Sequence, residues 1–358
     1  MLKACFRTAI AAALALACTY VPCTSAEAGM ISKEQEIAMG EATGKQLEAR
    51  FGLSQDYVLQ ERVQQIGQRL AAVCQRKDIE YSFKVLNSNE INALACPGGF
   101  IYVFKGLIDY MPSDTELAGV LSHEITHVVE KHTVHAIEKQ LLGTVLMIGA
   151  AIASGGEAMA AANIVQGAMM SGFSRTDERG ADKGGLTLVV DAGYNPYSVL
   201  ITMLKLDDYS KANGGSGNYG VFSSHPEPEE RAARLQKQLD KLNIHPDVHV
   251  LDDDHAYVSE GDWRFDIRHS VGATKAKYRA YMLAGSLWTV RKKGHINPHH
   301  FVVFDNGKTA DIYYDDIQLY TIYMHDTTAG LTPGAYAAQC VEKLHEWAEM
   351  VNNKSKGK

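Results

Sequence analysis

Two histidines four residues apart flank a glutamate in the pattern His123-Glu124-x-x-His127. The surrounding residues are apolar at helical spacing, and neither glycine nor proline occurs from Val120 to Val134, which predicts one buried helix. Residues four apart share a face of a helix, so both imidazoles can bind the same Zn²⁺. Glu124 would lie beside the ion, where it can accept a proton from an attacking water. The spacing therefore predicts a hydrolytic zinc centre.

Ordinary core packing is the alternative interpretation of this stretch, with two hydrogen-bonded histidines and a glutamate at the surface. Burying two imidazoles and a carboxylate in an apolar helix costs free energy unless they are paired or bind a metal. The apolar neighbours of His123 and His127 offer few polar partners along the same helix. We therefore favour the metal site over plain core packing.

A zinc site needs a third protein ligand, and a second charged segment offers one. Glu178 and Asp182 are four apart in the segment Ser174–Asp182, again on one face of a predicted helix. Glu178 could be the third ligand, and Asp182 could accept the free ring N–H of a ligand histidine and so fix its tautomer. A solvated charged helix is the alternative. His132 falls off the face of the first two histidines, so we expect it in a supporting or surface position.

Four motifs, in this order, resemble those of the M48 family of zinc metallopeptidases. The resemblance extends from about Ser32 to Leu242 and does not cover the C-terminal part of the chain. The motifs are Asn-Ala-Leu-Ala-Cys-Pro-Gly-Gly-Phe-Ile-Tyr-Val at 92–103, His-Glu-x-x-His at 123–127, Ser-Arg-x-x-Glu-x-x-Ala-Asp at 174–182, and Ser-His-Pro at 224–226 followed by Arg231.

The resemblance implies a gluzincin-type zinc endopeptidase with one Zn²⁺ per chain, bound by His123, His127 and Glu178. Glu124 would accept the proton of the attacking water and return it to the leaving amine. His225 is expected at the metal centre, as a transition-state hydrogen-bond donor or a fourth ligand, with a plain turn residue before a proline as the alternative. Arg231 is expected to form a structural ion pair.

A strand beside the metal is expected to bind the substrate. The segment Ile91 to Phe104 has the pattern of two strands joined by a Pro-Gly-Gly turn. An edge strand presents backbone N–H and C=O groups that bind extended peptides whatever their sequence. A plain hairpin without this role is the alternative. The substrate-binding residues that the resemblance implies are Asn92, Ala93, Leu94 and Ala95.

The periodicities predict an α+β fold in two parts. The resemblance implies that the first part, at 29–245, is a mainly helical zincin protease domain with a small edge sheet. A small α+β accessory domain of unknown role is expected at 246–358. A polar linker at His245–Val258 would join them. The predicted helices lie at Ser32–Arg50, Asp56–Cys74, Glu116–Gln140, Tyr197–Ala212, Pro228–Leu242 and from Pro333 to near Val351; the predicted strands lie at Ile79–Leu86, Ile91–Phe104, Trp263–Ile267, Phe301–Phe304 and Ala310–Tyr314.

The first 28 residues have the pattern of a secretory signal peptide. Lys3 and Arg7 precede an apolar core from Ala9 to Ala17, and an Ala-Glu-Ala cleavage sequence follows. A periplasmic or secreted location is therefore expected. Lipid anchoring through Cys18 is a weaker alternative.

Charge and cysteine content limit the partners and the crosslinks. The formal net charge is −7 and there is no basic patch, which argues against a nucleic-acid partner. Outside the signal peptide, Cys74, Cys96 and Cys340 allow at most one internal disulfide. A Cys74–Cys96 bond is conceivable in an oxidising compartment, and three separate buried thiols fit the sequence equally well.

An apolar segment at 141–170 is too short and too interrupted to span a membrane. We interpret it as a helical hairpin, which is either a lid over the cleft or part of the core. Its methionines and small residues would also suit contact with a membrane surface.

The resemblance implies quality control of envelope proteins, with unfolded or misassembled proteins as substrates. One alternative is a chaperone or assembly factor with a latent protease site that binds envelope proteins and cleaves rarely. A zinc-stabilised structural protein is another alternative, but it would leave Glu124 without a role.

Overall fold

The computed structural model describes most of the chain from residue 31 onwards, with gaps. The predictions for the signal peptide and for Cys18 lie outside the described residues. So does most of the hairpin predicted at 141–170, of which 163–167 is helical. No helix in the described parts is long and apolar enough to cross a membrane. The described residues are 31–139, 163–167, 172–213, 225, 228–328 and 330–356.

Two helices and a three-stranded sheet open the described chain. The sheet order is β1-β3-β2, with β1 parallel and β2 antiparallel to β3, so β2 is an edge strand. Pro97–Gly99 forms the predicted turn, in which Gly98 and Gly99 have positive φ values that favour glycine. The elements are α1 (Lys33–Phe51), α2 (Tyr57–Ala71), β1 (Ser82–Leu86), β2 (Ala93–Cys96) and β3 (Phe100–Phe104).

The helix that carries the His-Glu-x-x-His pattern is shorter than predicted. After the short α3 (Lys105–Tyr110), α4 (Asp114–Val129) begins with a capping box between Ser113 and Glu116. The single helix expected to reach Gln140 is wrong, because Lys131 adopts a left-handed conformation (φ 55°) and a separate helix follows at 132–139. Neither glycine nor proline marks this break.

Three helices complete the surroundings of α4. α5 (Arg175–Asp191) and α6 (Ser198–Ala212) pack directly against α4, and α7 (Pro228–Leu239) packs against α6. Gly119 of α4 meets the backbone of Ser198 so closely that a side chain there would collide with it. This close approach fixes the distance between α4 and α6.

The C-terminal part holds two antiparallel three-stranded sheets and two long helices. The expected linker at His245–Val258 is wrong: its alternating residues form β4 and most of β5, and only the acidic residues between them form a turn. The helix α8 and the strand β9 were not predicted. The elements are β4 (Asp247–Val250), β5 (Ala256–Glu260), β6 (Trp263–Ile267), α8 (Ala276–Lys292), β7 (Phe301–Asp305), β8 (Thr309–Tyr314), β9 (Ile317–Tyr323) and α9 (Pro333–Lys356).

The described residues from Lys33 onwards form one compact unit with a continuous core. Buried Lys205 of α6 lies 2.5 Å from Glu116 of α4 and donates to Thr274, which precedes α8. The fold is the mainly helical α+β arrangement expected, while the domain boundary at residue 245 stays a prediction. The cysteines Cys74, Cys96 and Cys340 are buried and free, so no Cys74–Cys96 disulfide forms.

Candidate metal centre

Two helices and the residue His225 bring four potential metal ligands together. His123 and His127 lie on α4, Glu178 lies on α5, and His225 precedes α7. One ligand atom from each residue lies within 4.8 Å of those from all the others, and all four residues are buried. The Nε2 atoms of His123 and His127 are 3.0 Å apart, and Nδ1 of His225 is 2.8 Å from Oε1 of Glu178. The structure thus juxtaposes all three predicted ligands and His225.

The donor set suits a divalent cation. Imidazoles and a carboxylate are ligands that Zn²⁺ accepts in proteins. Burial, together with the charges of His123 and His225, lowers the pKa of His127 well below its usual value, which favours the neutral imidazole that binds metals. Burial alone would raise the pKa of Glu178, but His225 and the Arg231 guanidinium hold it at about 2. The site therefore contains both a neutral imidazole and an ionised carboxylate.

Glu124 ends in a buried pocket beside these ligands. Its Oε1 lies 3.6 Å from Nε2 of His225, and its Oε2 has no hydrogen-bond partner among the described residues. A buried carboxylate oxygen without a partner is costly, so a water, an ion or a reactant is expected to bind beside it. The adjoining pocket encloses ≈ 20 Å³ and is lined by residues that include Ala93 and Val120. This is room for about one water molecule.

Arg231 joins the two carboxylates of α5. Its guanidinium lies 2.6 Å from Oε2 of Glu178 and 2.7 Å from Oδ1 of Asp182, so it forms the expected ion pair with two partners. Asp182 Oδ1 also lies 3.2 Å from Nδ1 of His123. Burial would raise the pKa of Asp182, but Arg231 and His123 hold it well below its usual range. Arg231 therefore helps to keep both carboxylates charged and holds them against the histidines.

Two more aromatic rings support His127. The turn at Lys131 brings His132 back, and its Nδ1 lies 2.9 Å from Nδ1 of His127. His132 is thus the buried supporting residue that the sequence left open. The ring of Phe173 stacks on His127 with centroids 4.0 Å apart. Phe173 was not predicted, and its place directly before the Ser174 motif was the only sequence signal for it.

The expected substrate strand lies at the rim of the site. Asn92 precedes β2, and Ala93, Leu94 and Ala95 belong to it. The backbone of Asn92 bonds to β3, so by antiparallel alternation Ala93 and Ala95 direct their backbone groups to the open edge. Two of those groups are engaged: Asn92 accepts from the N–H of Ala93, and Thr133 donates to the C=O of Ala95. The C=O of Ala93 and the N–H of Ala95 remain directed outward.

A buried ion pair ties this strand to the metal helix. Glu36 accepts from the N–H of Gly98, directly after β2, and lies 2.6 Å from Arg76. Arg76 in turn donates to the C=O of Val128 in the last turn of α4. The distance between the edge strand and the histidine helix is therefore fixed through two buried charges.

The model of peptidase family M48 matches residues 58–239. The beta-barrel assembly-enhancing protease of Yersinia pestis is 29% identical over 228 residues, which cover 60% of this chain and 46% of that protein. The corresponding Escherichia coli K12 protein is 29% identical over 224 residues (59% and 45%). The mitochondrial metalloendopeptidase OMA1 of Arabidopsis thaliana is 30% identical over 207 residues (57% and 41%). The chain spans about half the length of these relatives.

Proposed function

The chain belongs to peptidase family M48, and on that premise we propose that it is a zinc-dependent endopeptidase that hydrolyses peptide bonds in proteins. The family implies a divalent metal, and His123, His127 and Glu178 would hold it. The observation that carries the proposal is the buried Oε2 of Glu124, which has no partner among the described residues and adjoins both the ligand cluster and a water-sized pocket. A purely structural zinc site would not require an unpartnered carboxylate oxygen beside its ligands.

The chain's own residues divide the work of hydrolysis. A bound Zn²⁺ supplies Lewis-acid chemistry: it polarises the peptide carbonyl and lowers the pKa of water. Glu124 accepts the proton of the attacking water and gives it to the leaving amine. Asp182 and Arg231 hold His123 and Glu178 in place.

The strand β2 supplies the position for the peptide. The outward C=O of Ala93 and N–H of Ala95 would pair with the substrate backbone, which requires no particular side chain. Ala93 also lines the pocket at Glu124, so a peptide on this edge would run past the catalytic group. Small side chains on β2 leave room for that peptide.

His225 has two candidate roles, which one variant separates. Its ring lies between Glu178 and Glu124. As a donor to the transition state, His225 would be required, and His225→Ala would lower casein hydrolysis by about 10²–10³-fold. As a fourth ligand at rest, it would keep the enzyme latent, and His225→Ala would raise basal hydrolysis while zinc stays bound. Unchanged hydrolysis would contradict both roles.

We place the activity in the cell envelope, on unfolded or misassembled proteins. Two of the relatives are named for enhancing beta-barrel assembly, and the sequence-independent backbone pairing of β2 suits unfolded substrates. The second candidate function is a chaperone or assembly factor that cleaves rarely. The near-complete burial of Glu124, 2% exposed, and the small pocket favour a site that is closed at rest.

Casein hydrolysis by matched variants tests the proposal. Glu124→Gln should retain zinc and the fold but lose about 10²–10⁴-fold in rate, because the amide cannot accept the proton. Glu130→Gln is the control, since Glu130 is exposed at the end of the same helix. Full activity in Glu124→Gln would contradict the mechanism. Negligible hydrolysis by the zinc-loaded wild type, with tight binding of unfolded casein, would favour the chaperone.

A further inference from the structure

The strand β7 presents an open and unusually apolar edge. It is the outer strand of the sheet ordered β7-β8-β9, and no described strand pairs with its other side. Native edge strands are commonly protected by charged residues or proline. β7 has the sequence Phe-Val-Val-Phe-Asp and carries no charge before Asp305. By contrast, the outer strand β4 carries Asp247 and His249 within four residues.

The hydrogen-bond pattern shows which backbone groups face this open edge. At either end of β7, His300 bonds to Asp315 and Asn306 bonds to Thr309, so the even-numbered residues face β8. Antiparallel pairing alternates, and the odd-numbered residues therefore direct their N–H and C=O groups outward. Val303 lies at the centre of this outward set. The strand can thus accept a further strand without losing any bond to β8.

The side chains on the exposed face match a β-strand ligand. Val302 and Phe304 are 41% and 62% exposed, one residue on either side of Val303. The opposite face is closed, since Phe301 is buried and β7 packs against α9 there. A strand added at the edge would therefore place alternate apolar side chains beside Val302 and Phe304.

This face continues into a cleft that reaches the metal helix. Val302 is paired with Tyr313 and Phe304 with Asp311 on β8, so these side chains share one face of the sheet. Tyr313 and Asp311 line a cleft of ≈ 490 Å³ whose far wall includes Ser113, the N-cap residue of α4. The exposed face of the sheet therefore borders, through β8, a cleft that extends to the N-terminus of the helix that carries the histidines.

The small size of this edge favours an extended polypeptide over a second copy of the chain as the molecule that binds there. A stable dimer buries roughly 1,200–2,000 Å², whereas two copies joined through this edge would contribute five-residue strands and two exposed apolar side chains each. An extended polypeptide needs less buried surface area, because backbone pairing provides affinity and alternate side chains provide sequence preference. The lack of charge before Asp305 favours a neutral segment.

We infer that β7 is a docking edge for an extended, neutral segment of an unfolded protein with apolar residues at alternate positions. The segment adds to the sheet as a fourth strand beside Val303. This inference rests on the proposed function in one respect: the captured protein is the protease substrate, which the edge retains near the cleavage site.

A single proline tests the backbone pairing. Val303→Pro removes an outward N–H and leaves the bonds to β8, since proline is tolerated on the free side of an edge strand. Val303→Thr keeps the N–H and is the matched control. Both are made in the full-length Glu124→Gln background and titrated with a fluorescein-labelled, lysine-flanked peptide of alternating valine and threonine. Val303→Pro should raise Kd at least about tenfold, and Val303→Thr less than about twofold. Equal Kd values would overturn the inference.

A second variant covers the case in which the proline disturbs folding. Phe304→Lys places a charge on an exposed position of the edge and should weaken peptide binding to a similar extent. Circular dichroism of both variants shows whether the sheet is intact. A folded Phe304→Lys variant that binds the peptide as tightly as its parent would overturn the inference.

Kinetics distinguish this docking edge from the cleavage site. In the active enzyme, Val303→Pro should raise KM for casein several-fold, leave kcat unchanged, and leave hydrolysis of a short peptide unaffected. An equal effect on both substrates would contradict a separate docking edge. If the wild type cleaves neither substrate, the proposed protease fails, while the peptide titration still tests the edge. A wild-type dimer that Val303→Pro dissociates in sedimentation would assign the edge to a second copy.

Discussion

Two buried clusters that each contain an arginine differ in whether negative charge remains uncompensated. In the C-terminal part, Arg279 lies 2.7 Å from both carboxylate oxygens of Asp326 and also donates to the backbone carbonyls of His269 and Thr321. One cation meets one anion, and their polar atoms are engaged. This is the arrangement of a buried pair whose role is structural.

The cluster at the metal centre has more anions than cations. Arg231 pairs with both Glu178 and Asp182, and Glu124 adds a third carboxylate with one oxygen unpartnered among the described residues. With the histidines neutral, as metal-binding imidazoles are, two formal negative charges remain once Arg231 is counted against three carboxylates. Uncompensated buried charge is expensive. A divalent cation would supply the missing charge, which is why we regard this cluster as functional and the Arg279 cluster as structural.

Removing a carboxylate should reduce zinc binding in one cluster and leave it unchanged in the other. Glu178→Ala should lose most of its bound zinc, and hydrolysis should be lost with the metal. The fall in zinc affinity should exceed the roughly 10–100-fold loss that removing a supporting residue causes. Asp326→Ala should keep one zinc per folded chain although it destabilises the fold. Elemental analysis of the folded fractions measures both. A fully loaded Glu178→Ala variant would mean that the third ligand is another residue, with His225 and His132 as the candidates.

The structural cluster should affect stability and little else. Arg279→Met leaves the buried Asp326 carboxylate unpaired, which should cost about 3–5 kcal/mol of unfolding free energy in urea denaturation. Replacing both partners, as Arg279→Met with Asp326→Leu, should recover much of that loss because no charge is then left buried. If Arg279→Met alone reduced zinc per folded chain, the distinction between the two clusters would not hold.

The smallest predicted effect concerns the residue that supports His123. Asp182→Ala removes the carboxylate 3.2 Å from Nδ1 of His123 and should weaken zinc affinity by roughly 10–100-fold. Competition with a chelator of known affinity measures this change. Asp177→Ala is a useful comparison, since Asp177 is exposed to a larger extent and lies 3.9 Å from His132 rather than next to a predicted ligand. An unchanged zinc affinity in Asp182→Ala would contradict a supporting role of Asp182 for His123.

The parts of the site that local helix geometry determines could be predicted from the sequence. Positions four apart fixed the relation of His123 to His127, and of Glu178 to Asp182. Their meeting across two helices depends on tertiary packing, which no spacing encodes. The approach of Arg231 to both carboxylates and the stacking of Phe173 on His127 arise only from that packing.

The prediction of secondary structure failed where the usual signals are absent. The break at Lys131 has neither glycine nor proline, and the turn there is what brings His132 back to His127. The helix α8 packs against both C-terminal sheets and buries polar residues such as Arg279 and Ser286. Its apolar residues therefore do not form a single stripe. Such a stripe is the pattern from which a surface helix is predicted.

A divalent metal within the α4–α5 cluster is central to the proposed mechanism, and anomalous X-ray scattering at the zinc edge observes it directly. Crystals of the purified full chain should show one strong anomalous peak per chain, bordered by His123, His127 and Glu178. Glu124→Gln crystals should show the same peak, because Glu124 is assigned to proton transfer and not to metal binding. The absence of a peak in this cluster would contradict a metal site formed by these residues.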